Sequence, residues 1–413
     1  MADGLIGSEI LKIASDIRGL VAAGHSVCNL TVGDFSPAQF RIPMELEDAI
    51  VERIRAGETN YPPSDGVAPL RRAVVEFYQR RLGLCYPVES VLVTGGSRPG
   101  IYAAYRAVVD AGDRVVYPVP SWNNNHYCHL VGAVGVPVTC SSSSNFLPTG
   151  KQLREALRGA RLLALNSPLN PTGTAFTPEQ LADVCDAVLE ENARRLPHER
   201  PLYLMYDQVY WMLTFGDVSH VNPVTLRPAM QPFTIFVDGI SKAFAATGVR
   251  VGWTVGPEDI THRMASFIGH VGAWAPRAEQ LATATLLADD SAMDQFHATM
   301  RPGVETRLQA LFDGMESLRS DGLPVQAIAP MGAIYLSVRF PINGMQTPDE
   351  TTLATNEQIR HYLLQESGIA IVPFQAFGMV EDSGWFRLSV GAVSIQEIAA
   401  MLPRLRQALA ALR

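Results

Sequence analysis

Phe233-Thr234-Ile235-Phe236-Val237-Asp238-Gly239-Ile240-Ser241-Lys242 reads as a buried β-strand that ends on a lysine. Eight residues on, Gly248-Val249-Arg250-Val251-Gly252 places an arginine between two glycines. A lysine at the mouth of a buried strand is a poor choice for packing. It can be a solvated strand-end cation. It can also be an amine that holds an aldehyde as a Schiff base while its serine and arginine neighbours grip a phosphate.

Runs of the same kind stand at 91–94, 114–117, 135–139, 162–165, 202–206 and 251–255, and helix-like segments at 100–110, 152–158 and 178–194 fill most gaps. This alternation predicts an α/β fold, a seven-stranded, mostly parallel sheet flanked by helices. The large domain is expected over residues 46–300. Beyond it, a helical stretch at 304–318 leads into short strands at 325–329, 333–340, 370–373 and 385–390. These predict a smaller α+β domain over 301–413, completed by an N-terminal arm at 1–45. In that arm Ile6, Ile10, Ile13, Ile17, Leu20 and Val21 recur at helical spacing, and Gly24 closes the helix.

The 413 residues include 47% apolar and 18% charged side chains, the mix of a packed globular protein and too apolar for disorder. A net charge of −8 gives no electrostatic basis for nucleic acid or anionic membrane as partner. Cys28, Cys85, Cys128, Cys140 and Cys185 form no CxxC pair, so reduced thiols and no metal are expected. No run approaches the roughly 18 apolar residues of a membrane span. Met1-Ala2-Asp3-Gly4 has no basic region before an apolar core. A cytoplasmic location is the expectation.

In parallel sheets ligands bind outside the carboxyl ends of the strands. Gly95-Gly96-Ser97, Asn166, Asn170, Asp207 and Lys242 all follow such ends. Each has a plain alternative. Asn170-Pro171-Thr172-Gly173 can be only a turn, and Asp207, three residues before Tyr210, can be a helix cap. Equally, a carboxylate there can keep a pyridine nitrogen protonated so that the ring accepts electrons. Arg387 lies inside Trp385-Phe386-Arg387-Leu388-Ser389-Val390. It is either a solvated arginine on an edge strand or a fork for an α-carboxylate. Tyr61 sits among turn formers, and Trp122 is either core or a stacking plate.

Taken in order, Tyr61 with Gly66, Gly96, Asn170-Pro171-Thr172-Gly173, Asp207 with Tyr210, Ser241-Lys242, Gly248-Val249-Arg250-Val251-Gly252 and Arg387-Leu388-Ser389-Val390-Gly391 resemble the class I/II aminotransferases of the aspartate aminotransferase superfamily. The resemblance runs from about residue 30 to 392. It implies pyridoxal 5'-phosphate as cofactor, held by Lys242 as an aldimine, with a quinonoid on the path of an amino acid substrate. It further implies Asp207 on the ring nitrogen, Asn170 and Tyr210 on the ring oxygen, and Trp122 stacked on the ring. Gly96, Ser97, Arg98, Ser241 and Arg250 would hold the phosphate, joined by Tyr61 from a neighbouring subunit. Arg387, Asn170 and Gly33 would bind the substrate. A homodimer with shared sites follows from the same resemblance.

Some positions depart from the family pattern. Gly239 stands where a phosphate-binding serine is usual, and Pro99 where many members have a polar residue. No arginine occurs at Ile268-Gly269-His270-Val271-Gly272-Ala273-Trp274, where members specific for dicarboxylates carry one; Arg277 lies beyond it. Trp122-Asn123-Asn124-Asn125-His126-Tyr127 is either a capped helix start or a hydrogen-bonding wall for a polar substrate. One alternative to transamination shares its first steps: β/γ-elimination, replacement or carbon–carbon bond formation; another is a non-enzymatic, ligand-sensing regulator.

Overall fold

A computed structural model describes residues 26–413 together with Ile13, Ile17, Gly19, Ala22 and Gly24. Ile13 and Ile17 are helical and buried in the largest apolar cluster. The expected arm positions Ile6, Ile10, Leu20 and Val21 lie outside the described residues.

After a short strand β1 (Cys28–Asn29), seven strands build the main sheet: β2 (Val91–Thr94), β3 (Arg114–Val119), β4 (Val134–Thr139), β5 (Ala160–Asn166), β6 (Tyr203–Asp207), β7 (Thr234–Gly239) and β8 (Gly252–Val255). Their order is β2-β8-β7-β6-β5-β3-β4, and only β8 runs against its neighbours. Helices Ser97–Val108, Asn124–Val131, Gly150–Ala156 and Pro178–Ala193 make crossovers between strands.

Alternation along the strands explains the layers. Leu204, Tyr206 and Phe236 enter one apolar cluster with Phe77 and Leu181. Tyr203, Met205, Ile235 and Val237 enter another with Ile101, Ala104 and Ile268. Strand ends are level because the register pairs Asn166 with Asp207 and Asp207 with Val237. Helix starts are fixed locally: Thr149 with Gln152, Thr177 with Gln180, Thr355 with Gln358 and Ser394 with Glu397 form capping boxes, each contributing about 1 kcal/mol.

The second sheet orders β12 (Val372–Pro373), β13 (Trp385–Ser389), β10 (Tyr335–Arg339) and β9 (Gln326–Ala327). β1 pairs in parallel with β11 (Ile369–Ala370), and Leu30, Phe35 and Phe40 join the same apolar cluster as Val338, Phe386 and Leu405. The N-terminal segment thus completes the smaller core. Helix Asp290–Ser320 runs unbroken through residue 300, where the sequence reading divides the domains. Its Met293 lies in the large cluster and its Met300, Leu308 and Leu318 in the small one. At roughly 1.5 Å per residue it is a rigid strut between both cores.

Candidate active site

The carboxyl ends of β2, β5, β6 and β7 and the start of β8 open on a cavity of about 540 Å³. Gly33, Ser97, Arg98, Trp122, Asn170 and Asp207 line it, together with Tyr210, Ser241, Lys242, Arg250 and Arg387. Residues far apart in the chain converge there because one sheet supplies the floor and the small unit supplies the roof.

Three charged groups dominate the cavity. Lys242 Nζ donates to the Gly33 carbonyl at 2.6 Å. Desolvation pushes its amine down to about 8; Arg387, Arg98 and Arg250 add to that fall, and Asp34 opposes it. Asp207 lies at the end of β6, where its Oδ1 accepts the Val209 N–H at 3.1 Å. Burial pushes its carboxyl up to about 7, against the Val209 bond and the charge of Lys242. Arg387 is 1% exposed because β13 is an interior strand, which excludes the solvated-edge alternative. Its Nη2 donates to Thr31 O at 2.6 Å and its Nη1 to Asn170 Oδ1 at 3.2 Å, while Nε has no partner among the described residues. Desolvation lowers its pKa. A buried guanidinium facing neutral acceptors is a costly arrangement that an anionic ligand would relieve.

A cradle forms beside Lys242. Helix Ser97–Val108 starts at Gly96 without a side-chain cap, so its first N–H groups face the cavity end of the sheet. Arg250 spans this turn, donating from Nη2 to Gly95 O at 2.9 Å and from Nη1 to Thr247 O at 2.6 Å. The backbones here touch. A Cβ at Gly252 would stand 2.6 Å from Gly96 C and Ser97 N, and one at Gly239 would stand 2.8 Å from Gly252 Cα. Close packing of three chain segments therefore accounts for glycine, not serine, at position 239. Gly173 has a like cause, since a Cβ there would lie 2.0 Å from Tyr335 O.

Two expected residues stand apart from the cavity wall. Gly96 backs Arg250, and Tyr61 is 81% exposed, resting edge-on against Trp274 at 5.4 Å. Arg277 is paired with Glu58 at 2.6 Å and His270 is exposed. In the amide run, Asn124 accepts from Tyr105 at 3.0 Å and donates to Ser121 at 3.1 Å. The helix start has no side-chain cap, and Asn124 lines the cavity. Trp122 packs on Phe377 at 6.1 Å, and the Arg98 guanidinium lies 5.4 Å above its ring.

The sequence reading missed Tyr335, whose hydroxyl lies 2.6 Å from that of Tyr210 and whose ring lies 4.8 Å from the Arg387 guanidinium. It also missed Asp34 and Thr247, joined at 2.5 Å on the cavity wall. Behind the sheet, Asp238 is 1% exposed and accepts from Gly239 N, Tyr78 Oη and Trp211 Nε1. Tyr78 in turn accepts from Gln208 and Trp253. Burial pushes the Asp238 carboxyl up to about 8, while those three donors favour its anion. This network ties the ends of β6, β7 and β8, and with them the spacing of Asp207 and Lys242.

The family model described as "Aminotransferase class I and II" matches residues 25–405. The chain belongs to the class I and II aminotransferases. It is 30% identical over 404 residues to an aspartate aminotransferase of Rhizobium meliloti (strain 1021), covering 97% of this chain and 93% of that protein. With the aspartate aminotransferase of Geobacillus stearothermophilus the identity is 28% over 405 residues, covering 98% and 96%. The crystal structure of the aspartate aminotransferase from Rhizobium meliloti aligns with a TM-score of 0.90 at 27% identity, covering 100% of this chain and 98% of that one. An aromatic aminotransferase of Pyrococcus horikoshii OT3 gives a TM-score of 0.83 at 26% identity, covering 96% and 98%. The protein is a pyridoxal-phosphate-dependent aminotransferase acting on an amino acid, and the elimination or replacement alternative is not favoured.

The site suits pyridoxal 5'-phosphate. An uncapped helix start and Arg250 offer phosphate donors, a half-buried carboxyl awaits a ring nitrogen, and a depressed amine awaits an aldehyde. The buried guanidinium of Arg387, in no ion pair among the described residues, suits an acid.

Proposed function

We propose that the cavity transfers an amino group from an α-amino acid to a 2-oxo acid, with Lys242, Asp207 and Arg387 as its working charges. The observation that carries this is their convergence: an amine near 8, a carboxyl near 7 and a buried guanidinium without an anion all border one space. When bound, pyridoxal phosphate supplies a carbonyl for the amino group and a conjugated ring that stores the electron pair released at the α-carbon.

The chain's own groups do the rest. Arg387 fixes the substrate carboxylate, with Asn170 steering its Nη1 and Thr31 O its Nη2. Lys242 Nζ, partly neutral near pH 8, takes the α-proton and returns it to the other end of the reacting system. Asp207 would keep a proton on the ring nitrogen, and Asn170 and Tyr210 would hold the ring oxygen. Ser97, Arg98, Ser241 and Arg250 would hold the phosphate end, with Gly96 backing Arg250. Trp122 and Tyr335 wall the cavity and limit water.

Exposure of Tyr61, with Met44, Val51, Ile54 and Val271 also exposed, supports a homodimer in which Tyr61 would reach the neighbour's phosphate. A cytoplasmic location agrees with five free thiols and with no helix among the described residues long and apolar enough to cross a membrane. The two units are proposed as residues 46–300 and 301–413, with 1–45 completing the latter.

The assay is release of a 2-oxo acid from an amino donor, coupled to amination of a second 2-oxo acid. Release of a side-chain fragment with no amination would overturn the proposal. Arg387→Ala should raise KM for the donor about a hundredfold with a smaller change in kcat. An unchanged KM would remove the clamp. Gly252→Ala should force the Gly96–Ser97 turn outward and weaken pyridoxal phosphate binding by at least about tenfold, at a stability cost of about 1–3 kcal/mol. Titration of the apoprotein with cofactor measures the first and thermal melting the second. Wild-type affinity in that variant would show that the contact of backbones is dispensable.

A further inference from the structure

Charge accounting within the cavity, which rests on the transamination reading, leaves one anion facing no cation of the cavity but the Lys242 amine that the cofactor would occupy. Arg250 answers a phosphate, Asp207 a ring nitrogen, Lys242 an aldehyde and Arg387 an α-carboxylate. Arg98, set with Arg250 for the phosphate end, lies exposed above the Trp122 ring. Asp34 remains. It is half-buried on the cavity wall, and its Oδ1 accepts the Thr247 hydroxyl at 2.5 Å and the Phe35 N–H at 2.7 Å. Those two bonds fix the plane of the carboxylate. Its Oδ2 accepts no hydrogen bond among the described residues.

The neighbouring backbone shows what Asp34 faces. Gly33 O takes the Lys242 amine at 2.6 Å, and a Cβ on Gly33 would stand 3.5 Å from Arg387 Nη1. A substrate α-carbon held between Lys242 and Arg387 therefore lies against Gly33, and Asp34 is the next residue along the wall. Thr247 Oγ1 gives its proton to Asp34, so it presents only lone pairs to the cavity. Together the two side chains offer acceptors and a negative charge, with no donor. A carboxylate partly shielded from water discriminates between charges more sharply than one in bulk solvent.

We propose that Asp34, seconded by Thr247, reads the substrate side chain and selects an α-amino acid with a cationic side chain as amino donor. On the cofactor-loaded enzyme, kcat/KM for ornithine should exceed that for norleucine, its uncharged near-isostere, by about ten- to a hundredfold. Asp34→Asn should bring that ratio to about one, and Asp34→Glu should restore part of it. Calorimetric binding of α-methylornithine against α-methylnorleucine, neither of which has an α-hydrogen to lose, should give the same ratios without turnover.

A wild-type ratio near one, or a ratio unchanged in Asp34→Asn, overturns the proposal. So does an equal fall for both donors with a shifted pH profile, because Asp34 would then act on Lys242 and not on the side chain. If no donor yields a 2-oxo acid, the transamination reading fails, and the calorimetric ratio still decides Asp34.

Discussion

Lys242→Ala is expected to lower turnover by about four orders of magnitude or more, and to abolish covalent retention of pyridoxal phosphate after borohydride reduction. The loss should be chemical rather than structural. Lys242 donates a single hydrogen bond, to Gly33 O, and the helix Ile240–Ala243 that carries it tolerates alanine. Removing an ammonium that desolvation already disfavours should leave the apoprotein as stable as wild type, or slightly more so. Intact mass after reduction gives the first readout: wild type should gain one cofactor per chain, and the variant none. A reduced wild-type protein of unchanged mass would remove Lys242 from the chemistry altogether.

Asp207→Asn should cost roughly three orders of magnitude in turnover while cofactor is still captured by Lys242. Its effect on the apoprotein runs the other way. Burial holds the Asp207 proton up to about pH 7, whereas an unfolded chain releases it near 3.9. Between those values the native state binds more protons than the unfolded state, so wild-type stability falls as pH rises from about 4 to 7 and stays lowered above that. Asparagine carries no such penalty. Without cofactor the variant should melt with wild type near pH 4 and roughly 4–5 °C above it at pH 8, a difference on the order of 4 kcal/mol. With cofactor the order should reverse, because the ring nitrogen stabilises only the carboxylate. Near-normal turnover, or parallel melting curves at both pH values, would sink the assignment.

The large sheet was legible because its strands are short apolar runs, and β5, β6 and β7 end on or just before a chemically distinctive residue. Val91–Thr94 and Thr234–Gly239 needed no tertiary information to be seen. The reversed β8 was not legible, since its pattern resembles that of its parallel neighbours. Helix Asp290–Ser320 was shortened in the sequence reading to 304–318. Pro302 lies within its first half, where a proline normally argues against continuation.

In the site, Lys242, Asp207, Asn170, Arg250 and Arg387 stood out by their position at strand ends or within an apolar run. Tyr335 did not. It belongs to an ordinary strand of the smaller sheet and meets Tyr210 only when the two units pack, 125 residues apart in sequence. Asp34 was hidden for a similar reason: its carboxylate gains meaning from Thr247, 213 residues away. The amide run suggested a substrate wall or a helix start; Asn124 lines the cavity, and its Oδ1 is already taken by the Tyr105 hydroxyl from a helix 19 residues back.

The clasp of Arg387 on Thr31 and Asn170 spans 356 and 217 residues of chain. On the ribosome the large sheet can close once β8 has emerged, yet the roof over its mouth waits for β13, more than a hundred residues later. Nascent chains thus lack their grip on the substrate carboxylate until translation is nearly complete, and a premature stop before Arg387 would leave an open, unclasped cleft.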